Sequence, residues 1–247
     1  MNYILWAFFA SIFTWFLTAL GSMSVFFFKN VKDKIMNMFL GFSSGIMIAA
    51  SFFSLLAPAE KLAGNSAWLT LSSGFLSGAI LLILSDAILK IKSTCSRTFM
   101  LVSSITMHNI PEGLVVGVAF GALKGQEISF INALPALSIA FGIGLQNFPE
   151  GAAVSLPLRR EGYSPLKSFF LGQLSGVVEP IFSVLGAILV GFFTPLLPFS
   201  LSFAAGAMIF VAVKELIPEA EKDGGYLSSF GCISGFAIMM LLDVALS

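Results

Sequence analysis

Eight stretches of this sequence, roughly 3–28, 35–58, 67–89, 99–123, 131–156, 166–191, 195–219 and 227–246, are long, apolar and almost free of charge. A helix needs about 20 mostly apolar residues to cross the hydrocarbon core of a bilayer. Strands of a membrane barrel are shorter and alternate between polar and apolar residues, and that alternation is absent here. The spacing therefore predicts an all-α integral membrane protein. Its eight transmembrane helices form a single polytopic domain over 1–247, and the loops between them are too short to hold a soluble domain.

Composition excludes the alternatives. Hydrophobic residues make up 57% of the chain and charged residues 11%, with a mean hydropathy of +0.96. A soluble domain is nearer half apolar and a quarter charged. Disorder is excluded because 27 Phe, 3 Tyr and 3 Trp are too much apolar surface to leave solvated. Thirteen Lys and Arg balance thirteen Asp and Glu, and no basic patch follows an aromatic platform, so nucleic acid is not a partner.

The first stretch carries no Lys or Arg before Lys29 and exceeds the apolar run of a cleavable signal, so it is expected to remain as the first span. The positive charges divide unevenly. Lys29, Lys32, Lys34, Lys90, Lys92, Arg97, Arg159, Arg160, Lys167, Lys214 and Lys222 lie at the 1–2, 3–4, 5–6 and 7–8 turns, and only Lys61 and Lys124 lie at the others. Positive loops stay in the cytoplasm. Both termini are then expected outside, and short loops suit a bacterial plasma membrane. Cys95 and Cys232 form no framework and belong to no CxxC motif, and neither is expected to be functional.

Small residues recur four apart at Gly41/Gly45, Gly74/Gly78, Gly113/Gly117/Gly121, Gly172/Gly176 and Gly231/Gly235, a pattern that lets helix backbones approach closely in lipid. Two repeats are also visible. His108-Asn109-Ile110-Pro111-Glu112-Gly113 in span 4 matches Gln146-Asn147-Phe148-Pro149-Glu150-Gly151 in span 5, 38 residues later. A weaker one links Gly45–Ile48 and Leu55–Lys61 in span 2 with Gly206–Ile209 and Leu216–Lys222 in span 7. Copies five spans apart have opposite orientation. An inverted repeat with proline-interrupted helices in matching positions points to a binding site near the bilayer midplane.

Charged residues inside a membrane are costly and read as functional by default. Those within the spans are Asp86, Glu112, Glu150, Glu179 and Asp243, with Glu215 and Glu219 near the end of span 7. His108 and Glu112 are one helical turn apart and share a face, with Asn109 beside them. Pro111 withholds the amide that would bond the carbonyl of Met107, and Pro149 does the same for Leu145, so helices 4 and 5 should kink there. Gln146 and Asn147 flank Glu150 in the same way, and Glu179 can close the set. Three clustered carboxylates cannot all ionise in a low dielectric without compensation, so they are protonated or neutralised by a cation. Imidazole, amide and carboxylate ligands suit Zn2+, Cd2+, Fe2+ or Mn2+, and the thioether of Met47 can add to them. Two ions could share Glu112 and Glu150. His108 and Gln146 would then lie on one side, and Asn109, Asn147 and Glu179 on the other. Asp86 and Glu215 are candidates for the pathway, and Asp243 for the interface. Packing alone explains a single intramembrane His or Pro, but not the same hexapeptide twice in antiparallel spans.

At these residues the chain resembles the ZIP (Zrt/Irt-like) metal transporters, in particular the GufA-like branch. HNIPEGLVVG, IGLQNFPEGAAVSLPLR, GQLSGVVEP and FAAGAMIFV followed by ELIPEA carry the resemblance, which covers nearly the whole chain. It implies eight spans with both termini outside, movement of zinc and related ions toward the cytoplasm, and a homodimer. It also implies a binuclear site. The first position is Met47, His108, Glu112, Gln146 and Glu150, and the second is Asn109, Glu112, Asn147, Glu150 and Glu179. Spans 1, 4, 5 and 6 would move against 2, 3, 7 and 8. Two features depart from the family. His108 is the only histidine, so the His-rich loop of many members is missing. Asn147 stands where some members carry an acid, which lowers the charge of the second position by one.

The expected function is thus transport of a divalent metal, most simply zinc, and not catalysis. HNIPE lacks the second His of an HExxH metalloprotease. A proton-coupled carrier of another small solute, using the same carboxylates, is the alternative. No basic residue lies mid-span to bind an anion.

Overall fold

The computed structural model describes residues 2–28, 32–91, 97–126, 129–192, 194–222 and 225–246; side chains are described for all of these except 89–91, 97–105, 107, 108, 160, 191, 192, 194 and 246. All regular structure among them is helical. In chain order the helices are α1 (Tyr3–Ser22), α2 (Ser24–Phe27), α3 (Asp33–Ala50), α4 (Ala57–Ala63), α5 (Ala67–Ile91), α6 (Arg97–Gly121), α7 (Phe130–Arg160), α8 (Pro165–Leu174), α9 (Val178–Phe192), α10 (Leu197–Val211), α11 (Ile217–Ala220) and α12 (Tyr226–Leu246).

Six helical stretches are long and apolar enough to cross a bilayer: Tyr3–Phe27, Asp33–Ile88, Phe130–Arg159, Pro165–Val190, Leu197–Ala220 and Tyr226–Ala245. Asp33–Ile88 spans 56 residues, and Asn109–Gly121 is a shorter apolar helix. The chain is therefore an all-helical integral membrane protein. Large apolar side chains cover its outside, as lipid contact requires. On α5 alone Trp68 is 74% exposed, Leu76 58% and Leu84 55%. The polar side chains are instead turned inward, and Ser11, Thr14, Thr18, Asn109, Glu112, Gln146, Asn147, Glu150 and Glu179 are all buried.

Helix boundaries follow local chemistry. Asn2 caps α1 by accepting from the Ile4 amide at 3.3 Å, Ser129 caps α7 by accepting from Asn132 at 3.2 Å, and Ser164 caps α8 by accepting from Lys167 at 3.3 Å. Between α4 and α5 the chain reverses through a 3-10 turn at Gly64–Ser66, where Gly64 takes φ 54°, a conformation glycine adopts without strain. α3 and α10 each run into a wide π-helical turn, at Ser51–Leu56 and Ala212–Leu216. The two turns begin 161 residues apart, 212 against 51. Each lies just before a proline, Pro58 or Pro218. A proline ring clashes with the carbonyl four residues earlier, which here is Ser54 or Lys214, and widening the turn moves that carbonyl away. Pro111 and Pro149, by contrast, lie inside α6 and α7 without interrupting either helix.

The glycines show which helix meets which. A Cβ on Gly45 would lie 2.0 Å from the Cys232 carbonyl oxygen, and one on Gly206 1.9 Å from that of Phe75. Gly231 meets Met38 and Gly74 meets Phe199; Gly235 meets Phe42 and Gly78 meets Phe203; Gly151 meets Thr18 and Gly113 meets Glu179. The tightest pairs are therefore α3 with α12, α5 with α10, α1 with α7 and α6 with α9. These form two sets: α1, α6, α7, α8 and α9 pack among themselves, and α3, α5, α10 and α12 form the other. The sets meet mainly where α3 crosses α7 and α6 crosses α10.

Candidate metal site

The repeated hexapeptide lies where α6 and α7 face each other, beside α9, α1 and α3. The two glycines that close it, Gly113 and Gly151, leave room for α9 and α1 to lie against the site. Gln146 Nε2 donates to Glu112 Oε1 at 2.5 Å, which joins the two copies directly. From α3, the Ser43 hydroxyl donates to the Gln146 carbonyl at 3.1 Å. Met47, fully buried, is one turn further along the same face of α3.

Glu179 sits in the first turn of α9, just after a 3-10 turn at Ser175–Val177. Its Oε2 accepts from Asn147 Nδ2 at 2.9 Å and from the Thr14 hydroxyl; its Oε1 accepts from Asn109 Nδ2 at 3.3 Å, with the Thr18 hydroxyl at 3.5 Å. Gly176 makes this possible, since a Cβ there would stand 3.0 Å from Glu179 Oε1. The carboxylates of Glu112, Glu150 and Glu179 are close enough to interact electrostatically.

The oxygens left over define the chemistry. Asn109 Oδ1, Glu112 Oε2, Gln146 Oε1, Asn147 Oδ1 and both oxygens of Glu150 are buried and have no hydrogen-bond donor among the described residues. All six are acceptors. An unsatisfied buried polar group costs about 1–3 kcal/mol, so each of these oxygens calls for a partner. A cation, or protons on the carboxylates, would supply it.

The structure thus brings together Asn109, Glu112, Gln146, Asn147, Glu150 and Glu179, with Met47 on the neighbouring face of α3. His108 has its backbone in α6, one turn before Glu112; its side chain lies outside the described residues. Among the described side chains no three His, Cys, Asp or Glu gather as a ready metal cluster. A metal here would draw on the amide oxygens as well. Outside this cluster, Asp243 Oδ1 accepts from Ser54 Oγ at 2.7 Å, which joins α12 to the first π-helical turn. Asp86 and Glu215 are only half-buried. Glu219 pairs with Lys222 at the exposed end of α11. Cys232 is a free, half-buried thiol and Cys95 lies outside the described residues.

Sequence reasoning overlooked Thr14 and Thr18. Their signal was a stripe of hydroxyls in an otherwise apolar span, Ser11, Thr14, Thr18 and Ser22, at helical spacing.

The sequence profile of the ZIP zinc transporter family matches residues 84–243. Zinc transporter ZIP11 of Xenopus tropicalis is 38% identical, with 96% of each chain covered, and the ZIP11 of Homo sapiens is 34% identical over the same shares. Zinc transporter GufA of Myxococcus xanthus is 32% identical over 96% of this chain and 97% of its own. With similarity that extends over almost the whole length of these relatives, the chain belongs to the ZIP zinc transporter family, whose members are transporters and not enzymes.

Proposed function

We propose that this chain carries a divalent metal ion, zinc first, across the membrane toward the cytoplasm, and that the ion passes through the site between α6 and α7. The observation that carries this reading is the group of buried oxygens on Asn109, Glu112, Gln146, Asn147 and Glu150 that have no donor among the described residues. Zinc comes first because the relatives are named zinc transporters. Cd2+, Fe2+ and Mn2+ are further cargoes that such mixed ligands accept. Met47, His108, Glu112, Gln146 and Glu150 form the first position, and Asn109, Asn147 and Glu179, sharing Glu112 and Glu150, the second. Metal and protons compete for these carboxylates, so transport falls as the pH is lowered.

The single domain crosses the membrane eight times in this reading. Asp33–Ile88 divides at the Gly64 turn into two crossings, and the 25-residue α6 supplies another. The inverted repeat is supported by the glycine contacts. Met38, Phe42 and Gly45 correspond to Phe199, Phe203 and Gly206 at an offset of 161, and Gly74 and Gly78 correspond to Gly231 and Gly235 at an offset of 157. The same offset of 161 carries Thr18, which meets Gly151, onto Glu179, which meets Gly113. Kinks at Pro111 and Pro149, termini outside, a bacterial plasma membrane and a homodimer complete the proposal. α1, α6, α7, α8 and α9 would move as one body against α3, α5, α10 and α12.

The test is initial Zn2+ influx into proteoliposomes that hold a zinc-sensitive dye. Wild type should show saturable influx, and Glu112→Ala and Glu150→Ala should lose it. Unchanged influx in both variants would remove the ion from this site. If folded wild-type protein moved no metal, the remaining reading would be a proton-coupled carrier of another solute.

A further inference from the structure

Glu179 is supplied with donors as though a metal were not needed there. A carboxylate offers about four lone-pair directions, and four donor groups surround this one. Asn147 spends both amide hydrogens locally, one on Glu179 Oε2 at 2.9 Å and one on the Thr14 carbonyl at 3.3 Å. Thr14 Oγ1 also approaches the Ser11 carbonyl at 3.0 Å, but its single proton favours the charged acceptor. Asn109 faces the other oxygen at 3.3 Å, and Thr18 stands 3.5 Å from it with its single proton also within reach of the Thr14 carbonyl at 3.4 Å. Glu150, by contrast, has both oxygens without a donor among the described residues. The two carboxylates therefore differ: Glu179 accepts hydrogen bonds on both oxygens, and Glu150 has no donor on either among the described residues.

The internal repeat points independently to α1. Thr18 occupies, against Gly151, the place that Glu179 occupies against Gly113. The chain thus has a hydroxyl donor in one half where the other half has a carboxylate, and the two meet.

We propose that Thr14 and Thr18 are positioning residues of the metal site: together with the amides of Asn109 and Asn147 they hold Glu179 in a hydrogen-bonded latch that competes with metal for that carboxylate, so the chain holds one ion tightly at Glu112, Gln146 and Glu150 and a second only weakly. This rests on the reading of the site as the metal path. It assigns the second position a different character from the first. Asn147 contributes twice, since its amide lowers the charge of that position and also supplies one of the hydrogens on Glu179, with the other tied to the Thr14 carbonyl.

Equilibrium binding of Cd2+ or Zn2+ to the purified full-length protein, counted as ions per chain, tests it. Wild type should bind one ion tightly. Thr14→Val removes a donor and Asn147→Asp replaces a donor with a carboxylate. Each should tighten the second ion at least about tenfold, with Thr14→Ser returning to the wild-type count. If Thr14→Val does not fold, judged by monodispersity and thermal melting, Thr18→Val takes its place, because Asn147→Asp also adds a ligand charge of its own. Two ions bound equally well by wild type would overturn the latch, as would a second site unmoved in both Thr14→Val and Asn147→Asp. Failure of the latch alone would leave one or two ions bound and still lost in Glu150→Ala. Failure of the metal path itself would appear as no ion bound by wild type, and would take the latch with it.

Discussion

Gln146 and Asn147 are neighbours on α7, yet each donates one amide hydrogen to a different carboxylate, Glu112 for one and Glu179 for the other. Successive residues on a helix point about 100° apart, so one turn of α7 serves both positions of the site. In each amide the nitrogen donates to a carboxylate and the oxygen is left without a donor among the described residues. In the proposed site Gln146 therefore has two roles, donor to Glu112 and ligand to the ion. Gln146→Leu removes both and should reduce initial Zn2+ influx at least about tenfold. Gln146→Glu keeps an oxygen ligand and adds charge, so influx should persist with a lower KM. Equal influx in wild type and Gln146→Leu would show that the amide is not a ligand. Asn109, Glu112, Gln146, Asn147 and Glu150 were legible in the sequence because the hexapeptide occurs twice, and Glu179 because charge within a span is rare. Thr14 and Thr18 were not, because a hydroxyl in an apolar helix commonly bonds its own backbone, and only the fold shows Glu179 beside them.

At the scale of helices, the glycines act by letting backbones touch. A Cβ at Gly78 would stand 1.9 Å from the Phe203 carbonyl oxygen, closer than any contact can be without α5 and α10 moving apart. Gly78→Ala should therefore destabilise the protein by about 1–3 kcal/mol, as overpacking does. Nothing lies within 4 Å of a Cβ at Gly225, so Gly225→Ala should stay within about 0.5 kcal/mol of wild type. Thermal melting in detergent compares the two, and equal melting temperatures would refute this account of α5–α10 packing. Small residues four apart announce that some backbone approaches, but not which one. The pairing of α3 with α12 or α6 with α9 depends on the whole bundle. The π-helical turns were illegible for a similar reason. Pro58, Pro111, Pro149 and Pro218 all interrupt apolar runs, and only the first and last are accommodated by a widened turn.

For the molecule as a whole, the long apolar segments fix the class, because nothing but lipid tolerates so much exposed Phe, Leu and Ile. Loop charge makes the orientation testable. With Cys95 and Cys232 replaced, Lys124→Cys should react with a membrane-impermeant thiol reagent added outside intact cells, and Glu161→Cys only after the membrane is opened. The reverse pattern would invert the topology. The division of the bundle into two sets places the site at their junction, where Ser43 of α3 reaches Gln146 of α7. In the proposed transport, a sliding of one set past the other would carry the ligands on α6, α7 and α9 as a unit and change their distance to Met47 on α3. If the oxygens between α6 and α7 that have no donor among the described residues hold the transported ion, anomalous diffraction at the zinc edge from crystals of the zinc-loaded protein will locate it there. A peak is expected about 2.0–2.2 Å from carboxylate oxygens of Glu112 and Glu150, lost in Glu150→Ala. A zinc peak elsewhere in the bundle, unaffected by that substitution, would contradict this placement of the ion.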